Sequence, residues 1–212
     1  MPRLKERSKI LHTPTTQEIL ICLSDMMEYS GILLAHGAPK PYSNFLEGLI
    51  KKDFFKDDEK RSIEKIAPAF NTDTAKITKW LTMIYDDIFT LNNERPELFQ
   101  QEGIKITLKL RHHDSCCFFC LSLPVIPREF ENFHFYFAKG KTGVSSYWVE
   151  QVTYLMEENK LEILISLQVA TLNKYCEFII DKALFQGKIG FGDVLRENSF
   201  DLDRKLKNIY RE

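Results

Sequence analysis

Residues Ser62 to Leu81, SIEKIAPAFNTDTAKITKWL, set the helical part of the fold, because apolar residues recur at helical spacing on both sides of a polar break. The break is Asn71-Thr72-Asp73. The pattern predicts two helices joined by a tight turn, with Trp80 buried as part of the second apolar face. The apolar residues of the two runs are Ile63, Ile66, Ala67 and Phe70, followed by Ile77, Trp80, Leu81 and Ile84.

This segment resembles the helix-turn-helix superfamily of DNA-binding proteins. Ala67 matches the small residue at which the second helix of the family crosses the first. Asn71 stands where the family often has glycine, since asparagine tolerates the left-handed backbone conformation. Thr72 or Asp73 is expected to cap the second helix. Pro68 inside the first helix and Thr72 at a usually aliphatic position depart from the family's pattern.

The resemblance implies a function and a set of contact residues. A helix-turn-helix protein places its second helix against duplex DNA, where hydroxyls and lysines contact phosphates and base edges. The resemblance therefore implies a sequence-specific DNA-binding protein, regulatory in role, with duplex DNA as its partner. The implied contact residues are Thr74, Lys76, Thr78 and Lys79 of the second helix, together with Lys60, Arg61 and Lys65.

Charge supports nucleic-acid binding only locally. The whole chain has 29 basic and 30 acidic residues, a formal charge of -1, so it has no general attraction for phosphates. The segment from Lys60 to Lys79 has five basic and two acidic residues, a net charge of +3. The segment from Arg3 to Lys9 also has a net charge of +3, from four basic residues and Glu6. Such an arm either follows the phosphate backbone or remains solvated.

A second interpretation gives the hairpin no nucleic-acid role. Many helical hairpins have the same apolar spacing, so this segment also fits the core of an ordinary helical domain. The protein would then be a protein-interaction or scaffold module. The two interpretations differ in one structural feature, because only DNA binding requires Lys76 and Lys79 to be exposed near a basic residue of the 60–65 segment.

Two further helices are predicted in the first half of the chain, and the second helix of the hairpin is expected to be long. Thr15 and Glu18 form a capping box at the start of a helix that Gly37 ends. A second helix is predicted from about Tyr42 to Phe54. The second helix of the hairpin is expected to continue from Ile77 to about Asn92, because its apolar face is continuous over that length.

After Gly103 the apolar period changes from helical spacing to alternation, which is typical of β-strands. We expect five antiparallel strands, with residues 157–159 turning the last two into a hairpin. The second strand is apolar on both faces and is therefore expected to be central. The predicted strands are Ile104 to Arg111, Cys116 to Leu123, Phe133 to Phe137, Tyr147 to Met156, and Leu161 to Val169.

These elements predict an α+β protein with two domains. Residues 1–99 are assigned to a helical domain that carries the helix-turn-helix-like hairpin. Residues 100–212 are assigned to an antiparallel sheet or small open barrel. Helices at about Leu172 to Phe185 and Leu202 to Tyr210 are expected to flank this sheet on one face.

The five cysteines fit reduced thiols in a cytoplasmic protein, because their number is odd and they lie within apolar patterns. No secretory signal follows the charged N-terminal segment. The longest apolar segment, Ile19 to Ala35, is interrupted by polar residues, so no transmembrane span and no membrane partner are expected. The cysteines are Cys22, Cys116, Cys117, Cys120 and Cys176.

The segment from His112 to Cys120 contains the residue types that bind zinc. Cys117 and Cys120 have C-x-x-C spacing, but residues three apart in a strand point to opposite faces. A second ligand pair is also missing, although His112 and His113 are close in sequence. We therefore expect no metal site and no cofactor.

The segment from Phe133 to Lys141 interleaves aromatic and basic residues, as surfaces that bind single-stranded nucleic acid do. Alternation assigns Phe133, Phe135 and Phe137 to the core, which leaves only His134 and Tyr136 for contact. Core packing is therefore the simpler interpretation.

No arrangement of residues in the sequence identifies catalysis. The chain has no nucleophile elbow, no phosphate-binding glycine loop and no recognisable pair of carboxylates, so we expect that it is not an enzyme. A homodimer formed through the C-terminal domain is the remaining expected partner.

Overall fold

The structure is a computed structural model that describes residues 12–56, 61–112, 115–158, 160–169, 174–196 and 199–210. Its helices and its five-stranded sheet confirm the predicted α+β class. The helices are α1 (Thr16–Asp25), α2 (Met27–His36), α3 (Ser43–Lys51), α4 (Ile63–Ala69), α5 (Thr74–Glu94), α6 (Lys139–Thr142), α7 (Lys174–Phe185), α8 (Phe191–Arg196) and α9 (Ser199–Ile209). The strands are β1 (Ile104–His112), β2 (Ser115–Leu123), β3 (Asn132–His134), β4 (Ser146–Glu157) and β5 (Lys160–Gln168).

The chain forms two compact units, Met1–Ala170 and Thr171–Glu212. The division therefore lies after residue 170, whereas the sequence suggested a boundary between residues 99 and 100. The physical reason is a shared core: buried residues of α1, α2, α3 and α5 belong to the same apolar cluster as those of β1, β2, β4 and β5. Helices and sheet bury each other's apolar faces and do not separate into two domains.

The predicted first helix is two helices. Thr15 and Glu18 form the expected capping box. The helix breaks at Met26, whose backbone leaves the helical region with φ -126° and ψ 60°, and α1 and α2 meet at an angle of 87°. In the parts of the chain that the structure describes, no single helix is long and apolar enough to cross a membrane, although this bent pair passes that test on length and composition.

The five strands form one curled sheet in the order β2-β1-β5-β4-β3. β1 and β5 are parallel, and the other neighbouring pairs are antiparallel. The expectation of five antiparallel strands is therefore wrong for one pair. After the predicted β4–β5 hairpin, β5 pairs with the far strand β1 and lies between β4 and β1.

β2 lies at an edge of the sheet, so its predicted central position is wrong. An edge strand has backbone groups that no neighbouring strand can satisfy. Asn92 of α5 supplies this pairing at Cys120: the Cys120 N–H donates to Asn92 Oδ1 at 2.8 Å, and Asn92 Nδ2 donates to the Cys120 carbonyl at 2.7 Å. The apolar inner face of β2 is buried against the helices, which explains why its composition resembles that of a central strand.

The predicted strand from Phe133 to Phe137 is shorter in the structure. Only Asn132–His134 pairs with β4, and a 3-10 helix, Tyr136–Ala138, follows. Phe135 and Phe137 are nevertheless buried, as the alternation predicted, whereas Phe133 is half-buried. The turn brings the Phe137 carbonyl into the core, where it accepts a hydrogen bond from the Tyr85 hydroxyl of α5.

An aromatic cluster joins α5 to the sheet. The Phe89 ring stacks on Phe137 with ring centroids 5.3 Å apart and meets Phe119 of β2 at 5.2 Å. Tyr29 of α2 contacts both Phe119 and Phe137. Such pairs add stabilisation beyond the burial of their apolar area. One face of α5 is therefore fixed along much of its length.

The second unit has a small core of its own. Ala183, Ile189, Leu202 and Leu206 are buried between α7, α9 and the segment that joins α7 to α8. α7 and α9 lie where the sequence predicted helices, and α8 was not predicted. Leu172, the predicted start of α7, lies outside the described residues.

We expect Asn92→Ala to lower the free energy of unfolding by about 1–3 kcal/mol, because it leaves the Cys120 N–H and carbonyl without their partner. Asn93, the next residue of α5, is exposed, and Asn93→Ala is the matched control with an expected change within about 0.5 kcal/mol. Urea unfolding followed by far-UV circular dichroism measures both. Equal stability of the two variants would show that the Asn92 amide does not hold the edge of β2.

Candidate nucleic-acid interface

The turn between α4 and α5 has the conformation that its sequence predicts. Asn71 adopts a left-handed backbone with φ 48°. The Thr72 N–H donates to the Ala67 carbonyl at 3.2 Å and closes the end of α4. Asp73 is the cap of α5, because its side chain accepts a hydrogen bond from the Lys76 N–H at 2.8 Å. The start of α5 is therefore fixed by local interactions.

Pro68 lies inside α4, as expected from the sequence. Proline removes one helical N–H and crowds the preceding turn, which restricts it in long helices. Here the helix ends one residue later, at Ala69, and the Pro68 carbonyl accepts the N–H of Asn71 at 3.3 Å. The proline is therefore accommodated at the end of a short helix.

The hairpin packs on α3 through Phe70. The Phe70 ring meets Phe45 with ring centroids 4.9 Å apart and Phe54 at 5.8 Å. A β-carbon at Gly48 would overlap the Phe70 ring, so this approach of α3 requires glycine. Ile66 and Ile77 are fully buried beneath the hairpin, as predicted. The hairpin is thus held rigidly on the rest of the unit.

The structure exposes most of the predicted contact residues. Thr74, Lys76 and Lys79 of α5 and Lys65 of α4 are exposed. Arg61 is half-buried, and its backbone carbonyl accepts a hydrogen bond from Gln17 Nε2. The exposed residues lie on two helices that pack against each other.

Thr78 is a predicted contact residue that packs against another helix, and Lys60 lies outside the described residues. Thr78 is half-buried against α1, where its hydroxyl shares a hydrogen bond of 3.1 Å with the Thr16 hydroxyl. Lys60 lies outside the described residues, as do the basic N-terminal residues from Arg3 to Lys9.

Trp80 was predicted to be a buried core residue, but it is half-buried and packs against the core from its edge. Its ring packs on Phe45 at 5.1 Å, and Lys76 Nζ lies 4.8 Å from its centroid. Helical phase placed Trp80 with Ile77, but it lies at the edge of the buried stripe, where one face of the ring meets a lysine.

Lys52 is a basic residue beside the hairpin that sequence reasoning missed. Its Nζ donates to the Ala69 carbonyl at 2.9 Å and lies 4.6 Å from the Phe70 centroid. Together these contacts form a row in which three aromatic rings separate two lysines. We call it the lysine–aromatic row, and its members in order of contact are Lys52, Phe70, Phe45, Trp80 and Lys76.

The cysteines of β2 lie on different faces of the sheet. Cys117 shares the buried face with Leu110, its partner across the strands, and burial raises the pKa of its thiol to about 12. Cys120 contacts the Thr107 hydroxyl at 3.5 Å on the other face, and burial raises its pKa as well. In the described parts of the chain no three His, Cys, Asp or Glu side chains are placed to hold a metal, and His113 lies outside those parts.

The aromatic and basic segment that ends at Lys141 is tied into the first unit. Exposed His134 contacts the Ser146 hydroxyl through Nδ1 at 3.0 Å. The hydroxyl of half-buried Tyr136 accepts a hydrogen bond from Lys139 Nζ at 3.3 Å, and Lys141 forms an ion pair with Asp86 of α5. The basic residues of this segment have partners inside the protein, which leaves the hairpin as the better candidate surface.

Comparison of the chain with models of known protein families, with curated proteins and with solved structures gives no match.

We expect the buried thiols to make stability depend on alkaline pH. Burial raises the pKa of Cys22 to about 11 and that of Cys117 to about 12 from 9.0, so the folded protein keeps these protons while unfolded thiols lose theirs. Stability is therefore fully present below about pH 9 and falls as pH rises toward the folded pKa values.

Urea unfolding between neutral and alkaline pH tests this expectation. The variant Cys22→Ala/Cys117→Ala should lose stability less steeply above about pH 9 than the parent, whatever its stability at neutral pH. The buried tyrosines titrate in both proteins, and because burial is the largest cause of the raised pKa of Tyr85 and Tyr147, most of their contribution cancels in the comparison. If the stability of the two proteins fell in parallel with rising pH, burial would not raise the pKa of these two thiols.

Proposed function

We propose that this protein binds duplex DNA through α4 and α5. The observation that carries the proposal is the exposure of Thr74, Lys76 and Lys79 on the first turns of α5, with Lys65 exposed on α4. This is the feature that separates DNA binding from a purely core-forming hairpin. The regulatory role and the cytoplasmic location remain proposals that rest on the resemblance and on the cysteine content.

The position of these residues on a fixed helix suits them to bind a rigid ligand. The second half of α5 is held by Tyr85, Phe89 and Asn92, whose side chains contact the turn after β3 and the sheet. A helix anchored in this way presents its first turns without further ordering on binding, and preorganisation lowers the entropic cost of association. Only the N-terminal half of α5 is proposed to meet DNA.

Local charge supplies the attraction. The formal charge of the whole chain is -1, so the attraction for phosphates comes from the lysines near the hairpin and not from a general field. Lysine contacts to phosphates release counterions from the duplex. Binding should therefore weaken steeply as salt concentration rises.

We expect Lys76→Ala/Lys79→Ala to reduce the slope of log affinity against log salt by about 2 units, because each lysine neutralises about one phosphate. Fluorescence anisotropy of a labelled duplex across a salt series measures the slope. Lys105→Ala/Lys160→Ala removes two exposed lysines from the sheet and is the matched control, with an unchanged slope expected. No binding of the parent to any duplex at low salt would refute the proposal.

A second candidate function, protein contact without DNA, is favoured by the far end of the β4–β5 hairpin. β3 pairs with β4 only as far as Trp148, and β1 pairs with β5 only from Leu164. The hairpin projects beyond these partners. There it exposes three apolar side chains on one face: Tyr154 is 57% exposed, Met156 68% and Leu161 51%. Exposed apolar clusters mark interaction surfaces.

For this candidate we propose a homodimer in which two copies pair through this hairpin. Met156→Glu/Leu161→Glu places charges in the apolar cluster and should convert a dimer to a monomer in sedimentation velocity. Leu155 lies on the opposite face of the hairpin, so Leu155→Glu is the control that should remain dimeric. A parent protein that is monomeric at high concentration would exclude the dimer.

A further inference from the structure

We propose that the surface formed by Lys52, α4 and the first turns of α5 holds duplex DNA mainly through the phosphates of the DNA. Lys52 is a further phosphate-binding residue. The surface distinguishes little between base sequences. The inference rests on the proposed function and specifies its substrate class. It differs from the sequence-specific binding that the helix-turn-helix resemblance implied.

The first argument is that two of the three threonine hydroxyls on the first three turns of α5 have internal partners. The Thr78 hydroxyl shares its hydrogen bond with Thr16 of α1. The Thr82 hydroxyl donates to the Thr78 carbonyl at 3.0 Å, inside the helix itself. Of the three threonines on the first three turns, Thr74 is the one that is exposed without such a bond among the described contacts. The face thus has few groups that could contact base edges.

The second argument concerns the types of residue on this face. Lysine can contact guanine, but the recognition of bases with the most defined geometry comes from arginine, asparagine and glutamine, whose paired polar atoms match guanine or adenine. No arginine, asparagine or glutamine occurs from Thr74 to Met83. The basic residues there are Lys76 and Lys79. A lysine ammonium is a compact point charge that suits a phosphate and defines little geometry.

The third argument is the position of the two lysines at the ends of the lysine–aromatic row. Lys52 Nζ lies 4.6 Å from the Phe70 centroid, and Lys76 Nζ lies 4.8 Å from that of Trp80. Stacking on a ring fixes each long side chain before DNA arrives. Lys52 uses one of its three N–H donors on the Ala69 carbonyl, which leaves two for phosphate oxygens. Because Lys52 follows α3 and Lys76 lies in α5, the two fixed cations come from different parts of the surface, and phosphates at two places on the backbone can be held together.

Two measurements test the inference. The first is the salt slope of Lys52→Ala, which should fall by about 1 unit on every duplex, whereas Lys52→Arg should keep the parent slope. Lys51 is adjacent and forms an ion pair with Glu47, so Lys51→Ala is the control with an unchanged slope. A structural role of Lys52 alone would shift the urea midpoint and leave the salt slope intact, and that outcome would overturn its assignment.

The second measurement compares parent affinities for duplexes of equal length and unrelated sequence, including pools of random sequence. We expect a spread within about tenfold, whereas specific DNA-binding proteins discriminate by roughly a thousandfold or more. A single sequence selected from the random pool with such a preference would overturn the inference while leaving duplex binding established. Failure of the parent to bind any duplex would instead refute the proposed function, and this inference with it.

Discussion

Helix α5 is the element on which the first unit depends, because its buried side chains join the other helices to the sheet. Its Tyr85 hydroxyl donates to the Phe137 carbonyl, and its Asn92 amide pairs with both backbone polar groups of Cys120. Between them the Phe89 ring lies against Phe119 and Phe137. These contacts satisfy the free edge of β2 at Cys120 and fix the rotation of α5 about its own axis. The exposed side of its first turns is therefore set by the packing of its opposite side.

The parts of the fold that the sequence predicted are those governed by neighbours in the chain. The capping box of Thr15 and Glu18, the left-handed turn at Asn71 and the β4–β5 hairpin depend on residues a few positions apart. The order of the strands does not. β2 has the composition of a central strand, but the group that covers its free edge is Asn92, which lies 28 residues earlier in the chain. Alternation likewise cannot reveal that β5 pairs in parallel with β1.

In the candidate site, too, the sequence predicted the features that depend on nearby residues and missed those that depend on distant ones. Exposure of Thr74, Lys76 and Lys79 follows from helical phase once the cap at Asp73 is known. Phase alone did not show that Thr78 meets α1, since that contact spans 62 residues, and Lys52 gave no signal because it follows a helix outside the hairpin. The lysine–aromatic row exists only after α3 packs on Phe70. Residues that tertiary packing brings together thus define the chemistry of the surface, and this chemistry is the basis of the proposal that the surface binds phosphates more than bases.

The central claim is that DNA binds the surface formed by Lys52, α4 and the first turns of α5. Chemical footprinting of lysines tests this claim most directly. The protein is treated with an amine-reactive reagent with and without a saturating duplex, and modification of each lysine is measured by mass spectrometry. We predict that the duplex protects the lysines of this surface and leaves the exposed lysines of the sheet, Lys105 and Lys160, equally reactive. Protection confined to the sheet or to the second unit would contradict the account. The lysines expected to be protected are Lys52, Lys65, Lys76 and Lys79.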